Sequence, residues 1–170
     1  MKRTILSALT VLTLLSACDK DEDDDNELNS TDRTFMTNVA MGNMAEVQAG
    51  QLAATKGTNP QVVQFGQHMV TEHTLAQTEL RAMADSLGVA LPTTVDAEHQ
   101  ALMVRLNGLS GYSFDTAYMN SQVRDHQKTL NIFQMEMNDG NHQRVRFYAS
   151  KYMPHIQMHL QEAQSIRSSL

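Results

Sequence analysis

The stretch from Pro60 to Leu87, PQVVQFGQHMVTEHTLAQTELRAMADSL, places Val62, Gly66, Met69, His73, Ala76, Leu80, Met83 and Leu87 at alternating spacings of four and three. Residues three and four apart share one face of a helix, so this is an apolar seam, and it predicts one long helix packed into a core. Three further stretches repeat the pattern: Phe35, Val39, Gly42, Glu46, Ala49, Ala53; then Met119, Val123, His126, Leu130, Phe133, Met137; then Val145, Ala149, Tyr152, Ile156, His159, Ala163, Ile166. Each seam is interrupted by one side chain of metal-ligand type: Glu46, His73, His126 and His159. One interruption per helix, at similar depth, predicts that the four residues meet in one layer of the core. No run alternates with period two, so the expected fold class is all-α.

Breakers and caps bound these helices. Ser30, Thr31 or Asp32 is expected to cap the first, which runs to about Lys56 before Gly57. Asn59-Pro60 reads as a capping residue followed by proline at the first helical position, and Gly88 closes the second helix after Leu87. The link from Gly88 to Tyr112 is long; it holds Pro92 and a short helix, Ala97 to Leu106, ended by Gly108. Ser113 opens the third long helix, which reaches about Asn138, and Asp139-Gly140-Asn141 turns tightly into the fourth. Two short connections flanking a long one fit a ferritin-like four-helix bundle with one long crossover carrying a short helix. About 24 linking residues can retrace a helix of roughly 40 Å, which makes the second and third long helices parallel; a compact link gives up-down-up-down topology instead.

The N-terminus has the form of a secretion signal, residues 1–17. Lys2 and Arg3 precede an apolar run, Thr4 to Leu15, that is too short to span a bilayer. It ends on Leu15-Ser16-Ala17-Cys18, which resembles the lipobox of bacterial lipoproteins. That resemblance implies cleavage before Cys18, a diacylglycerol on its thiol and a fatty acid on its new amino group. Acyl chains contribute about 0.8 kcal/mol per buried CH₂, so two or three of them anchor the protein to a membrane without spanning it. Cys18 is the only cysteine, which rules out an intrachain disulfide. Residues 18–31 read as a disordered tether, because seven of the nine residues from Asp19 to Glu27 are acidic. Acidic residues beside the cysteine resemble the export tag of surface lipoproteins in Bacteroidetes-type bacteria, whereas aspartate there implies inner-membrane retention in enteric bacteria. A bacterial cell-envelope protein, on the outer membrane in preference to the inner, is the expectation. The chain carries net charge −6, but from Leu28 onward 12 acidic residues face 10 basic ones, net −2, with no basic patch. Nucleic-acid binding is disfavoured; the membrane is the expected partner, and no protein partner is specified.

Residues 32–168 form the expected bundle domain, and within it Glu46 with Gly50-x-Leu52-Ala53, then Phe65-x-x-x-Met69-Val70-x-Glu72-His73, lie on the first two helices. Phe114-Asp115-x-x-Tyr118 leads to His126, and Pro154-x-x-x-x-His159-Leu160 follows on the last helix. As an ordered set, from about Asp32 to Ser165, these motifs resemble the family called domain of unknown function 4142, bacterial lipoproteins assigned a ferritin-like fold. The family usually has aspartate before the second-helix histidine, where this chain has Glu72, so the charge is kept. The resemblance implies a fold and no established activity.

Two readings of the core layer stand. Three imidazoles and a carboxylate suit one ion of Zn, Fe, Mn or Cu. Alternatively the layer is a metal-free polar network, with Glu46 held by imidazoles and by Tyr152 or Gln122, in a scaffold or interaction lipoprotein. Glu72 and Asp125 lie about 100° round their helices from the core histidines, which suits solvated or supporting roles. Pro154 inside the last helix is expected to kink it, aiming His155 and His159 or opening a path; the alternative is a tolerated irregularity. Twelve methionines raise a further alternative, periplasmic copper capture by Met153, His155, Met158 and His159 with Met135 and Met137, against methionine as core filler. His68, His99 and His142 fall off the seams and are expected at the surface. No Glu-x-x-His occurs, so a di-iron oxidase lacks its ligands. No nucleophile elbow, phosphate loop or dinucleotide fingerprint is present, so the expected protein is non-enzymatic.

Overall fold

The structure is a computed structural model and describes residues 26–170. The signal segment, Cys18 and the acidic run to Asp25 lie outside the described residues. Five helices follow in order: α1 Ser30–Lys56, α2 Pro60–Ser86, α3 Ala97–Asn107, α4 Gly111–Asp139 and α5 Gln143–Ser169. The described residues hold no strand, so the chain is all-helical. None of these helices is long and apolar enough to cross a membrane.

The caps differ from the sequence expectation in an instructive way. Asn29, not Ser30, Thr31 or Asp32, caps α1: its Oδ1 accepts from the Asp32 N–H at 2.9 Å while its own N–H donates to Asp32 Oδ2 at 2.8 Å. Leu28 packs on the core just ahead of it, so residues 28–31 belong to the folded part. Asn59 caps α2 with Pro60 behind it. Ser110 sits at the N-cap of α4, and the helix begins at Gly111, with φ 57°, two residues ahead of Ser113, which was expected to open it.

Hydrogen bonds fix the helix directions. Asn29 at the start of α1 donates to the Asp139 carbonyl at the end of α4 (2.8 Å), and Lys56 at the end of α1 reaches the carbonyls of Leu106 and Asn107 (3.2 and 2.6 Å) beside the start of α4. Hence α1 and α4 are antiparallel. The late part of α2 meets the early part of α5 through Tyr148 Oη to the Ala76 carbonyl (3.0 Å) and Lys151 to Glu79 (2.6 Å). Both α1–α2 and α4–α5 are hairpins, so α2 and α4 run the same way, and the α2–α4 link carries α3 back along the molecule. The alternative of a compact link does not describe this chain.

Within the α1–α2 hairpin the backbones approach closely at Gly50 and Gly66. A Cβ on Gly66 would lie 2.7 Å from both the Ala53 Cβ and the Gly50 carbonyl. Two buried apolar clusters result. One gathers Phe35, Met36, Val39, Leu80, Met83, Phe133, Val145 and Tyr148; the other gathers Ala53, Val62, Phe65, Met69, Leu106, Phe114, Tyr118 and Ile166. Between them lies a buried layer of Asn43, Glu46, His73, Gln77, Gln122, His126 and His159.

Two aspartates bind the hairpins to each other. Asp32, in the first turn of α1, accepts from the backbone N–H groups of Asn141 and His142 in the α4–α5 turn, at 3.1–3.3 Å. Asp115, in the first turn of α4, accepts from the N–H groups of Thr58 (3.1 Å) and Asn59 (2.9 Å) in the α1–α2 turn. His142 is therefore not a surface residue: it is buried and caps α5, its Nδ1 accepting from the Arg144 N–H at 3.2 Å.

Candidate metal centre

Three of the four seam-breaking residues converge. His73 comes from α2, His126 from α4 and His159 from α5, with ring centroids 5.8, 5.5 and 5.4 Å apart taken pairwise. They are 5%, 1% and 1% exposed, and each offers a ring nitrogen within 4.8 Å of those of the other two. One nitrogen of each ring is already engaged. His73 Nδ1 is 2.9 Å from Asn43 Oδ1, His126 Nδ1 is 2.9 Å from the Gln122 carbonyl, and His159 Nε2 is 3.0 Å from Glu72 Oε2. Carbonyl and carboxylate oxygens only accept, so the engaged nitrogens carry the protons and fix the tautomers. The nitrogens left with lone pairs are His73 Nε2, His126 Nε2 and His159 Nδ1, and all three are buried without a hydrogen-bond partner.

Charge follows from burial. Burial, with each other's charge second, drives His73 well below 6.5, and burial drives His126 to about 4. Burial and the neighbouring His126 bring His159 to about 4 against the opposing pull of Glu72. All three rings are neutral at pH 7, the state in which imidazole binds metal. Burial alone would raise Glu72, but hydrogen bonds from His155 and His68 outweigh that and lower it.

Glu46 stands apart from the three lone pairs. It accepts from Gln122 Nε2 at 2.8 Å and lies 3.8 Å from His126 Nδ1, the engaged side of that ring. Burial pushes it up to about 7, despite the Gln122 hydrogen bond. Tyr152 does not reach it; Tyr152 packs on Tyr148 (4.6 Å) and faces His155 (5.8 Å). His155 also lies outside the triad, half-exposed, with Nδ1 3.0 Å from Glu72 Oε2. Asp125 is buried and paired with Arg124 at 2.9 Å. Met69, Met83 and Met119 fill the core, while Met135 and Met158 are exposed. Pro154 lies within α5, which is helical on both sides of it.

The sequence reading missed Asn43 and His68. Asn43 sits four residues after Val39 and three before Glu46, so it shares the buried face; the seam had been drawn through Gly42 instead. His68 is half-buried, not free at the surface, with Nε2 3.2 Å from Glu72 Oε1 and its ring 5.1 Å from that of His159. His99 is also partly buried, its Nδ1 2.9 Å from Asp96.

The pattern that defines the family "Domain of unknown function (DUF4142)" matches residues 18–166. The chain belongs to this family. No curated protein matches it. Among solved structures, the DUF4142 chain is similar to a DUF305 fragment from Deinococcus radiodurans. The TM-score is 0.75 at 10% identity, over 84% of this chain and 99% of that one. Identity that low carries the fold alone, another helical domain of unknown function.

Proposed function

We propose that this DUF4142 protein is a lipid-anchored envelope protein, non-enzymatic, whose ferritin-like four-helix bundle binds one transition-metal ion through His73, His126 and His159. The observation that carries the reading is the set of three buried, neutral imidazoles that meet ring to ring, each with one nitrogen left unpartnered and a ring nitrogen within 4.8 Å of those of the other two. A polar group buried without a partner costs about 1–3 kcal/mol, and a metal-free network would have no reason to leave three such atoms together. Each engaged nitrogen is held by a carboxylate, a backbone carbonyl or an amide, the arrangement that orients metal-bound histidines. Imidazole ligands without a carboxylate suit Zn, Cu or Fe ahead of Mn.

The hairpin directions and the long α2–α4 link support the ferritin-like topology. Anchoring is supported by the lipobox resemblance at Cys18. Cys18→Ser is expected to move the protein from the membrane to the soluble fraction and abolish fatty-acid labelling; unchanged partition would remove the anchor. The second reading, a scaffold with a metal-free polar core, is favoured by the Gln122–Glu46 hydrogen bond. Elemental analysis of protein purified without a histidine tag decides between them. About one Zn, Cu or Fe per chain supports the metal centre, and none after reconstitution supports the scaffold.

A further inference from the structure

The two ring nitrogens of His159 belong to different surroundings. Its Nδ1 is the unpartnered nitrogen of the triad, while its Nε2 faces Glu72 at 3.0 Å. Around that second side stand further ligand atoms. His68 Nε2 is 3.2 Å from Glu72 Oε1, and His68, Glu72 and His159 each offer a donor atom within 4.8 Å of the others. His155 Nδ1 is 3.0 Å from Glu72 Oε2, and Glu162 Oε2 is 3.3 Å from His68 Nδ1. One ionised carboxylate is thus approached by nitrogens of three imidazoles, and this group opens outward: the side chains of His68, Glu72 and His155 are 33%, 27% and 45% exposed, against 1% for His159.

We propose that this outer group is a second metal station, in which an ion binds His68, Glu72 and Nε2 of His159, so that one imidazole joins it to the ion of the buried triad. The inference rests on the triad reading. On binding, the His159 Nε2–H bond breaks, an Nε2–metal bond forms and the proton leaves to solvent; Glu72, which had accepted that hydrogen bond, becomes a ligand. The station supplies what the inner site lacks, a carboxylate and solvent contact. It also places an ion next to a ring shared with the buried triad.

Equilibrium dialysis of the untagged, detergent-solubilised protein against Co(II) tests this. Wild type is expected to bind two equivalents, His68→Ala one, and His126→Gln one. His68 is partly exposed and off the apolar seams, so its replacement leaves the fold intact, and a circular-dichroism melt checks both variants. With Cu(II), the paramagnetic resonance signal is expected to fall as the second equivalent enters, because a shared imidazolate couples the two spins. One equivalent in wild type, lost in His126→Gln and unchanged in His68→Ala, overturns the outer station and leaves the triad standing. One equivalent lost in His68→Ala but kept in His126→Gln overturns the triad instead. Two Cu(II) signals that simply add overturn the shared ring.

Discussion

Two of the places where the molecule buries polar groups are treated oppositely. At the turns, Asp32 and Asp115 are buried carboxylates whose oxygens accept from backbone N–H groups on the opposite hairpin. In the middle, three imidazoles are equally buried, yet each keeps one nitrogen unpartnered. The first arrangement is complete as it stands and explains why two hairpins hold together. The second is incomplete, and three ligand-type nitrogens left without partners on rings that meet in one place point to an ion bound there. Hydrogen-bond satisfaction, not burial, is what differs between these two places; the triad differs from other buried unpartnered atoms, such as Tyr118 Oη and Gln77 Nε2, in gathering three ligand-type nitrogens on rings that meet.

The comparison breaks first at the turns. Asp32→Ala leaves the N–H groups of Asn29, Asn141 and His142 without their acceptor, and at about 1–3 kcal/mol each a loss on the order of 3–5 kcal/mol is expected in urea unfolding of metal-free protein. Asp115→Ala should act likewise, and the two losses should add, because the sites are at opposite ends and share no partner. In the middle the effect reverses its character. His126→Gln is expected to cost on the order of 100-fold or more in Zn(II) affinity while changing metal-free stability by less than about 1 kcal/mol, read by competition titration and by denaturation. Equal stability losses at Asp32 and His126, with no change in metal affinity, would erase the distinction. Asn43→Ala and Glu72→Gln, which touch only the engaged nitrogens, are expected to weaken binding by roughly 10–100-fold.

The last contrast is in pH. Glu46 is raised from 4.5 to about 7 in the folded protein, so its contribution to stability is fully present below 4.5 and is lost as pH rises through about 7. Glu46→Gln, neutral throughout, is therefore expected to match wild type near pH 5 and to exceed it in stability above pH 8, in metal-free protein. The imidazoles work the other way. His126 and His159 fall from 6.5 to about 4 on folding, so the unfolded chain binds more protons between those values and stability drops as pH falls through that window. A Glu46→Gln variant destabilised at pH 8.5 would mean that the carboxylate is charged and partnered there.

Long helices were legible because their seams repeat over six or more contacts, and Asn59-Pro60 is a local signal read without knowledge of its neighbours. His73, His126 and His159 were legible for the same reason, each lying on an apolar seam. What stayed hidden depends on pairing across the chain. Asp32 meets His142 across 110 positions and Asp115 meets Asn59 across 56, separations at which no sequence spacing carries information. His142 read as surface because its role is to end a turn, not to continue a helix. Glu46 was grouped with the histidines because periodicity gives depth and face but not the direction in which a long side chain bends. Asn43 was lost to a choice between adjacent positions on the least amphipathic of the long helices.

The exchange of aspartates between hairpins has a consequence for motion. Each hairpin's turn is latched by a residue that begins the other hairpin, so neither can separate without releasing both latches. Slow amide exchange in α1, α2, α4 and α5 should accordingly be lost together, as one cooperative opening, and not helix by helix from the ends. Only α3, tied by Lys56 to its last carbonyls and by Glu98 to Lys128 at 2.5 Å, sits outside the interlock and is free to open on its own.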